Sequence, residues 1–174
     1  YAGQLSLGTA AFMAIGAYAF AISTCDIYPF QLGFWPALGV TAVAGALAGF
    51  LLGAPTLGLR GDYLAIVTLG FGEIAQDVLK NLDAITKGTQ GINPLPPPSL
   101  PLVGEFGSSP APWYWLFLAI TVLAVFACRN LERSRTGRAW LAVREDELAA
   151  SCMGIAPIPV KMYAFATGAA LAAI

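Results

Sequence analysis

Apolar residues in this chain fall into long runs separated by short polar stretches, instead of alternating with polar residues. The runs are Leu7–Thr24, Phe34–Leu52, the first half of Tyr63–Lys80 and Trp113–Cys128, with a fifth starting near Pro159. Such nearly charge-free runs match helices that cross a bilayer. We therefore predict an all-α, polytopic transmembrane helical bundle of about four spans plus the start of a fifth.

Composition agrees with a membrane location. The 174 residues are 57% hydrophobic and 11% charged, and the mean hydropathy is +0.71. This length suits one domain, so we expect residues 1–174 to form part of a single transmembrane domain. Because the chain lacks an initial Met and stops inside the apolar run TGAALAAI, we expect an internal piece with both ends incomplete. The net charge of −1 gives no basic surface for nucleic acid.

Motifs for chemistry are missing from the sequence. There are three widely spaced cysteines and no histidine, so no pattern supports a metal site or a disulfide framework. The stretch TKGTQG lacks the Gly-Lys-Ser/Thr ending of a nucleotide-binding loop. We expect no cofactor and no catalytic residues, which leaves a catalytic membrane protein as the weakest alternative.

Small residues recur at four-residue spacing in the second apolar run. The series is Gly45, Gly49 and Gly53. This spacing puts them on one helix face, where small side chains let membrane helices approach closely. We predict that this face packs against another helix.

Basic residues are distributed unequally between the two sets of loops. One set holds only Lys80 and Lys87. The other set holds the remaining basic residues: Arg60, Arg129, Arg133, Arg135, Arg138, Arg144 and Lys161. Since basic loops face the cytoplasm, we expect residues 129–160 to be cytoplasmic and residues 81–112 to be extracytoplasmic.

One cytoplasmic segment is unusually rich in charge. We predict a helix over Arg138–Gly154 that ends at Gly154, with Pro157 and Pro159 preventing its continuation. Consecutive charges are too costly inside lipid, so this helix is a solvated loop helix, lies on the bilayer, packs under the bundle or docks into a partner protein. The charged and small residues are Arg138, Arg144, Glu145, Asp146, Glu147, Ala149, Ala150 and Gly154.

Several blocks of the sequence resemble a known family. The stretch Glu147–Gly154 resembles the Glu-Ala-Ala…Gly coupling loop of ABC importer permeases, with Leu148 where the strict pattern has alanine. Over nearly its whole length, the chain resembles the branched-chain amino acid ABC transporter permease, M-type subunit. Four blocks carry it: GQLSLGTAAFMAIGAYA, LRGDYLAIVTLGFGEI, NLDAITKGTQGINPLPPPSL and RSRTGRAWLAVREDELAASCMGI.

This resemblance implies a function in transport. Such a permease is a bacterial inner-membrane subunit of an ATP-driven importer for leucine, isoleucine and valine. The resemblance implies an H-type permease partner, two cytoplasmic ABC ATPases that use the ATP, and a periplasmic amino-acid-binding protein, all in a lipid bilayer. The 138–154 helix would be the coupling helix that contacts the ATPase, and the chain itself would not be an enzyme.

Three polar residues are candidates for the translocation path. In a helix starting at Tyr63, Glu73 would lie near mid-bilayer, where a carboxylate needs a cavity or a partner. Asp77 shares its face, and Ser6 lies near the start of the first run. The alternative is a helix that is shifted or broken at Gly70 and Gly72, which would leave Glu73 at the outer interface.

Two other functions remain open from the sequence. One is an ABC permease for urea or short amides, because those permeases look alike. The other is a secondary transporter driven by an ion gradient, although few charges fall in the apolar runs for a proton relay.

Overall fold

Helices account for nearly all of the regular structure. The computed structural model describes residues 7–25, 27–29, 31–56, 62–93, 95, 99–100, 104–105 and 110–174. The helices are α1 (Thr9–Thr24), α2 (Phe34–Thr56), α3 (Asp62–Asn81), α4 (Asp83–Thr86), α5 (Pro110–Arg133), α6 (Arg135–Glu145), α7 (Glu147–Cys152) and α8 (Pro157–Ala173). Two short strands, β1 (Ser99–Leu100) and β2 (Gly104–Glu105), form an antiparallel hairpin. The predicted helical fold class is confirmed.

The centre of the bundle is formed by α1, α2 and α8. The most extensive contact is between α2 and α8, and α1 packs against both. Their shared apolar core contains Phe12, Leu52, Phe165 and Ala169, together with Leu64 from α3. Three tightly packed helices therefore provide the rigid frame to which the other elements are attached.

Helix α3 lies beside α1 and runs in the same direction. The backbone N–H of Leu7 donates to Thr68 Oγ1 at 3.0 Å, and the rings of Phe12 and Phe71 are 5.8 Å apart. The helix is continuous from Asp62 to Asn81. The alternative that it is broken at its internal glycines is therefore wrong.

The segment that follows α3 folds over the end of α1. Here Ile92 is buried with Ala21 and Cys25, and the hydroxyl of Tyr28 donates to the carbonyl of Ile85. Residues 81–112 are rich in proline, which interrupts helices. The described part of this range accordingly holds short elements, namely α4, the 3₁₀ turn Gly88–Gln90 and the hairpin, before α5 begins at Pro110. The hairpin was not foreseen.

Helix α5 presents most of its apolar surface outward. It packs chiefly against α6, while Trp115, Leu123 and Phe126 are each more than half exposed. Water-soluble domains rarely leave such continuous apolar surface uncovered. Among the described residues, α2 and α5 are the helices long and apolar enough to cross a membrane, and α1 is a shorter apolar helix.

Candidate functional site

The exposed segment, which covers residues 134–156, begins with a sharp turn between α5 and α6. Ser134 alone separates the two helices, and its Oγ accepts a hydrogen bond from the N–H of Gly137 at 3.2 Å. A β-carbon on Gly137 would lie 2.3 Å from the carbonyl oxygens of Leu131 and Glu132. Only glycine therefore fits this turn. Sequence reasoning missed it, although Ser-x-x-Gly directly after an apolar helix is a usable signal.

The prediction of one continuous helix over Arg138–Gly154 is wrong, because the helix is interrupted at Asp146. This residue has extended backbone angles, φ −153° and ψ 115°. Its carboxylate accepts hydrogen bonds from the N–H groups of Leu148 at 2.8 Å and Ala149 at 3.1 Å. Asp146 thus ends α6 and caps the N-terminus of α7, a role that aspartate commonly takes.

The end of α7 follows the sequence prediction. Gly154 has φ +83°, a conformation that favours glycine, and its N–H donates to the carbonyl of Ser151 at 3.0 Å. The N–H of Ile155 donates to the carbonyl of Ala150 at 3.1 Å. These paired bonds are a Schellman motif. Together with the Asp146 cap, they give the short helix α7 defined ends.

An aromatic anchor holds α6 to the bundle. Trp140 is buried, and its indole N–H donates to the carbonyl of Val160 in α8 at 2.9 Å. Val143, one turn further along, is also buried. Sequence reasoning placed both residues on the helix but did not assign the anchor, because the partner carbonyl carries no sequence signal.

The small residues of α7 face in different directions. Ala149 is exposed, whereas Ala150 is only 4% exposed. Ala150, one of the candidate docking residues from the sequence, therefore packs within this chain, whereas Ala149 does not. Leu148 and Met153 present the large apolar side chains of this segment, being 74% and 83% exposed.

The charges of the segment form two different ion pairs. Arg144 and the adjacent Glu145 pair at 2.8 Å on the surface. Glu147 instead pairs with Lys161 of α8, also at 2.8 Å, and the Lys161 side chain is only 9% exposed. Arg138 and Asp146 are exposed. The expected cluster is therefore divided: most of its charges face water, and Glu147 is bound within the chain.

Two of the candidate path residues lie on the face of α3 that is turned away from the bundle. Glu73 and Asp77 are both exposed, whereas Ala75 between them is buried toward the bundle. Among the residues that the structure describes, none encloses either carboxylate. Ser6, the third candidate, lies outside the described residues.

The predicted glycine face lies against α8. A β-carbon on Gly45 would come within 2.4 Å of Ala173 Cβ, and one on Gly49 within 2.5 Å of Ala169 Cβ. At Gly53 the corresponding distance to Phe165 Cβ is 3.4 Å, an ordinary contact. The two helices are therefore closest at Gly45 and Gly49.

The long apolar helices and the apolar surface that they leave exposed define a class of protein: a helical membrane protein. The chain belongs to the family described as "Branched-chain amino acid transport system / permease component", whose profile matches residues 1–174. It is 42% identical to the high-affinity branched-chain amino acid transport system permease protein LivM of Salmonella typhimurium, over 98% of this chain, and 42% identical to its Escherichia coli counterpart.

The alignment covers 98% of this chain but 44% of each of those relatives, so the chain spans less than half of their length. No solved structure matches. Family membership therefore rests on sequence, and it identifies the chain as a permease component of a transport system.

Proposed function

We propose that this chain forms part of the permease subunit of an ATP-driven importer that moves leucine, isoleucine and valine into the cytoplasm. The observation that carries the proposal is the surface at α7: this short, capped helix exposes Leu148, and Met153, which follows its last residue, is also exposed. An exposed apolar pair held by a capped helix suits docking into another protein. The names of the two relatives support the cargo.

The docking partner in this proposal is a cytoplasmic ABC ATPase, one of two. Leu148 and Met153 fill apolar contacts, Ala149 permits close approach, and Arg138, Arg144, Glu145 and Asp146 supply the charged rim. Gly154 ends the helix, so that the docking surface stops there. ATP is bound by the ATPases, and this chain needs no cofactor of its own.

The proposed orientation follows from charge. The membrane in this proposal is a bacterial inner membrane. Residues 129–160 are cytoplasmic and residues 81–112 extracytoplasmic, because the basic residues concentrate in the first range. The compact cap of α4 and the 3₁₀ turn on α1 then lies on the outer side. That surface is suited to contact a periplasmic amino-acid-binding protein.

The transport path in this proposal runs along α3. Glu73 and Asp77 point away from α1, α2 and α8, so they line the path where α3 faces the second, H-type permease. A carboxylate at membrane depth needs such a polar surrounding, since lipid would not stabilise it. Ser6 is assigned to the same path from the sequence alone.

The proposal is tested by affinity purification of the full-length protein from its native membrane in mild detergent. We expect an ATPase and a second permease to purify with it in fixed ratio. Leu148→Glu should release the ATPase but retain the second permease, because it places a charge on the exposed α7 surface. Ile85→Glu, at an exposed apolar position after α3, is the matched control and should release neither.

Crosslinking in intact membranes guards against loss of subunits in detergent. An ATPase absent from both preparations would overturn the proposal. An ATPase that remains bound to the Leu148→Glu variant would instead move the docking surface away from α7.

A further inference from the structure

The contact between Glu147 and Lys161 differs from the other charges of the exposed segment. Lys161 Nζ lies 2.8 Å from Glu147 Oε2, and the exposed fractions of the two side chains are 9% and 27%. A lysine is seldom this buried without a counter-charge, and removing that counter-charge leaves a buried, uncompensated cation. The pair is therefore part of the folded framework and not a free charged surface.

The ion pair joins two elements that have different neighbours. Glu147 is the first residue of α7, the helix proposed to dock the ATPase, and Lys161 lies in the second turn of α8. The indole of Trp140 is bonded to Val160, the residue next to Lys161. Both contacts from the exposed segment thus reach the same turn of α8.

From that turn, α8 is tightly packed against the bundle. Gly49 and Gly45 of α2 meet Ala169 and Ala173, and a β-carbon on Gly16 of α1 would lie 2.2 Å from the Ala173 carbonyl oxygen. Such close packing transmits displacement instead of absorbing it. A shift of α7 that pulls on Lys161 is therefore passed on to α8 and to the helices packed against it.

We propose that the Glu147–Lys161 ion pair is the positioning contact through which α7 moves α8. Glu147 is then held by its own chain, and the ATPase contacts the exposed side of α7 around Leu148 and Met153. This inference rests on the proposed function and adds the residue pair that connects docking to the membrane helices. Lys161 is a positioning residue in this inference, since it acts through its contact with Glu147.

The chain supplies a control charge in Arg135. This residue is exposed at the start of α6 and lies outside the set of residues proposed to dock the ATPase. An exposed surface charge contributes little to stability. Arg135→Glu therefore reverses one charge of the same segment without altering the proposed connection between α7 and α8.

The experiment uses the complete transporter in proteoliposomes. ATP is supplied on the side of the membrane where the ATPases are bound. The variants are Glu147→Lys, Lys161→Glu and the double exchange, with Arg135→Glu as the control. Glu147→Gln is a milder change that keeps the shape of the side chain. Two quantities are measured for each: the amount of ATPase bound, and leucine transported per ATP hydrolysed.

We expect Glu147→Lys, Lys161→Glu and Glu147→Gln to keep the ATPase bound but to lower leucine transported per ATP by at least about fivefold, the lower end of typical coupling between sites. The double exchange should restore most of that ratio, because it restores the attraction. Arg135→Glu should leave the ratio unchanged. A merely structural role would lower protein yield without changing the ratio.

Two results would overturn this inference alone. One is release of the ATPase by Glu147→Lys without recovery in the double exchange, which would make Glu147 a direct partner contact. The other is an unchanged ratio in Glu147→Gln, which stays decisive even if Lys161→Glu does not fold. A wild-type protein that binds no ATPase would overturn the proposed function itself, and this inference with it.

Discussion

A β-carbon placed on Gly49 would lie 2.5 Å from the β-carbon of Ala169, which is closer than two non-bonded carbon atoms can approach. The same β-carbon would lie 2.8 Å from the carbonyl oxygen of Phe165. The α2–α8 crossing is therefore fixed by the absence of a side chain at Gly49. This close approach lets van der Waals packing stabilise the bundle where lipid offers no hydrophobic driving force between helices.

Gly49→Ala should destabilise the protein by about 1–3 kcal/mol, the usual cost of forcing extra atoms into a packed interface. Gly39→Ala, on the same helix, has no atom within 4 Å of the added carbon and should instead gain helix propensity, up to about 1 kcal/mol. Thermal unfolding in detergent, followed by size-exclusion chromatography, measures both. Equal melting temperatures for the two variants would contradict the packing described for α2.

Gly137→Ala should disturb the turn between α5 and α6, because the new carbon would lie 2.3 Å from two backbone oxygens. We expect lower thermal stability and less bound ATPase, since α6 carries α7. Gly168→Ala in α8 meets no atom within 4 Å and gains helix propensity, up to about 1 kcal/mol. The two substitutions should therefore act in opposite directions on the melting temperature. A stabilising Gly137→Ala would show that the turn is open.

Asp146→Ala should loosen α7 without unfolding the bundle. It removes the acceptor of the bonds to Leu148 and Ala149, and loss of such a cap typically costs about 1 kcal/mol. Hydrogen exchange of the amides in residues 147–152 should become faster, while exchange in α2 stays unchanged. Asp146→Asn keeps a capping oxygen and is the control. Equal exchange in the Ala and Asn variants would mean that the cap does not hold α7.

The orientation can be tested with the native cysteines. Cys152 is exposed on α7, whereas Cys25 is 1% exposed at the end of α1. A membrane-impermeant maleimide should label Cys152 in inside-out vesicles and not in right-side-out vesicles. Mass spectrometry of the peptides locates the label, and Cys152→Ser removes it. Labelling of Cys152 in sealed right-side-out vesicles would reverse the assigned orientation.

Much of the helix layout could be predicted because long apolar runs have few alternatives to membrane helices. Pro157 and Pro159 indicated the break before α8, which begins at Pro157. Helix ends were less predictable: α5 extends to Arg133, beyond the apolar run, because its charged last turn reaches water.

The exposed segment shows where sequence reasoning stopped. A run of residues compatible with a helix does not reveal the break at Asp146, since aspartate is acceptable both inside a helix and as a cap. The pairing of Glu147 with Lys161 spans 14 residues of sequence and depends on how α7 returns to α8. Periodicity cannot supply such a contact, because it is set by tertiary packing.

The central claim is that ATP hydrolysis by partner subunits drives branched-chain amino acid import through this chain. Its most direct test is uptake of radiolabelled leucine by the purified complex in proteoliposomes, with binding protein added outside. Our account requires accumulation that needs ATP, persists with an uncoupler, is competed by isoleucine and valine but not by urea, and is lost in Leu148→Glu. Accumulation that continues without ATP and collapses with the uncoupler would contradict it, and competition by urea or a short amide would contradict the assigned cargo.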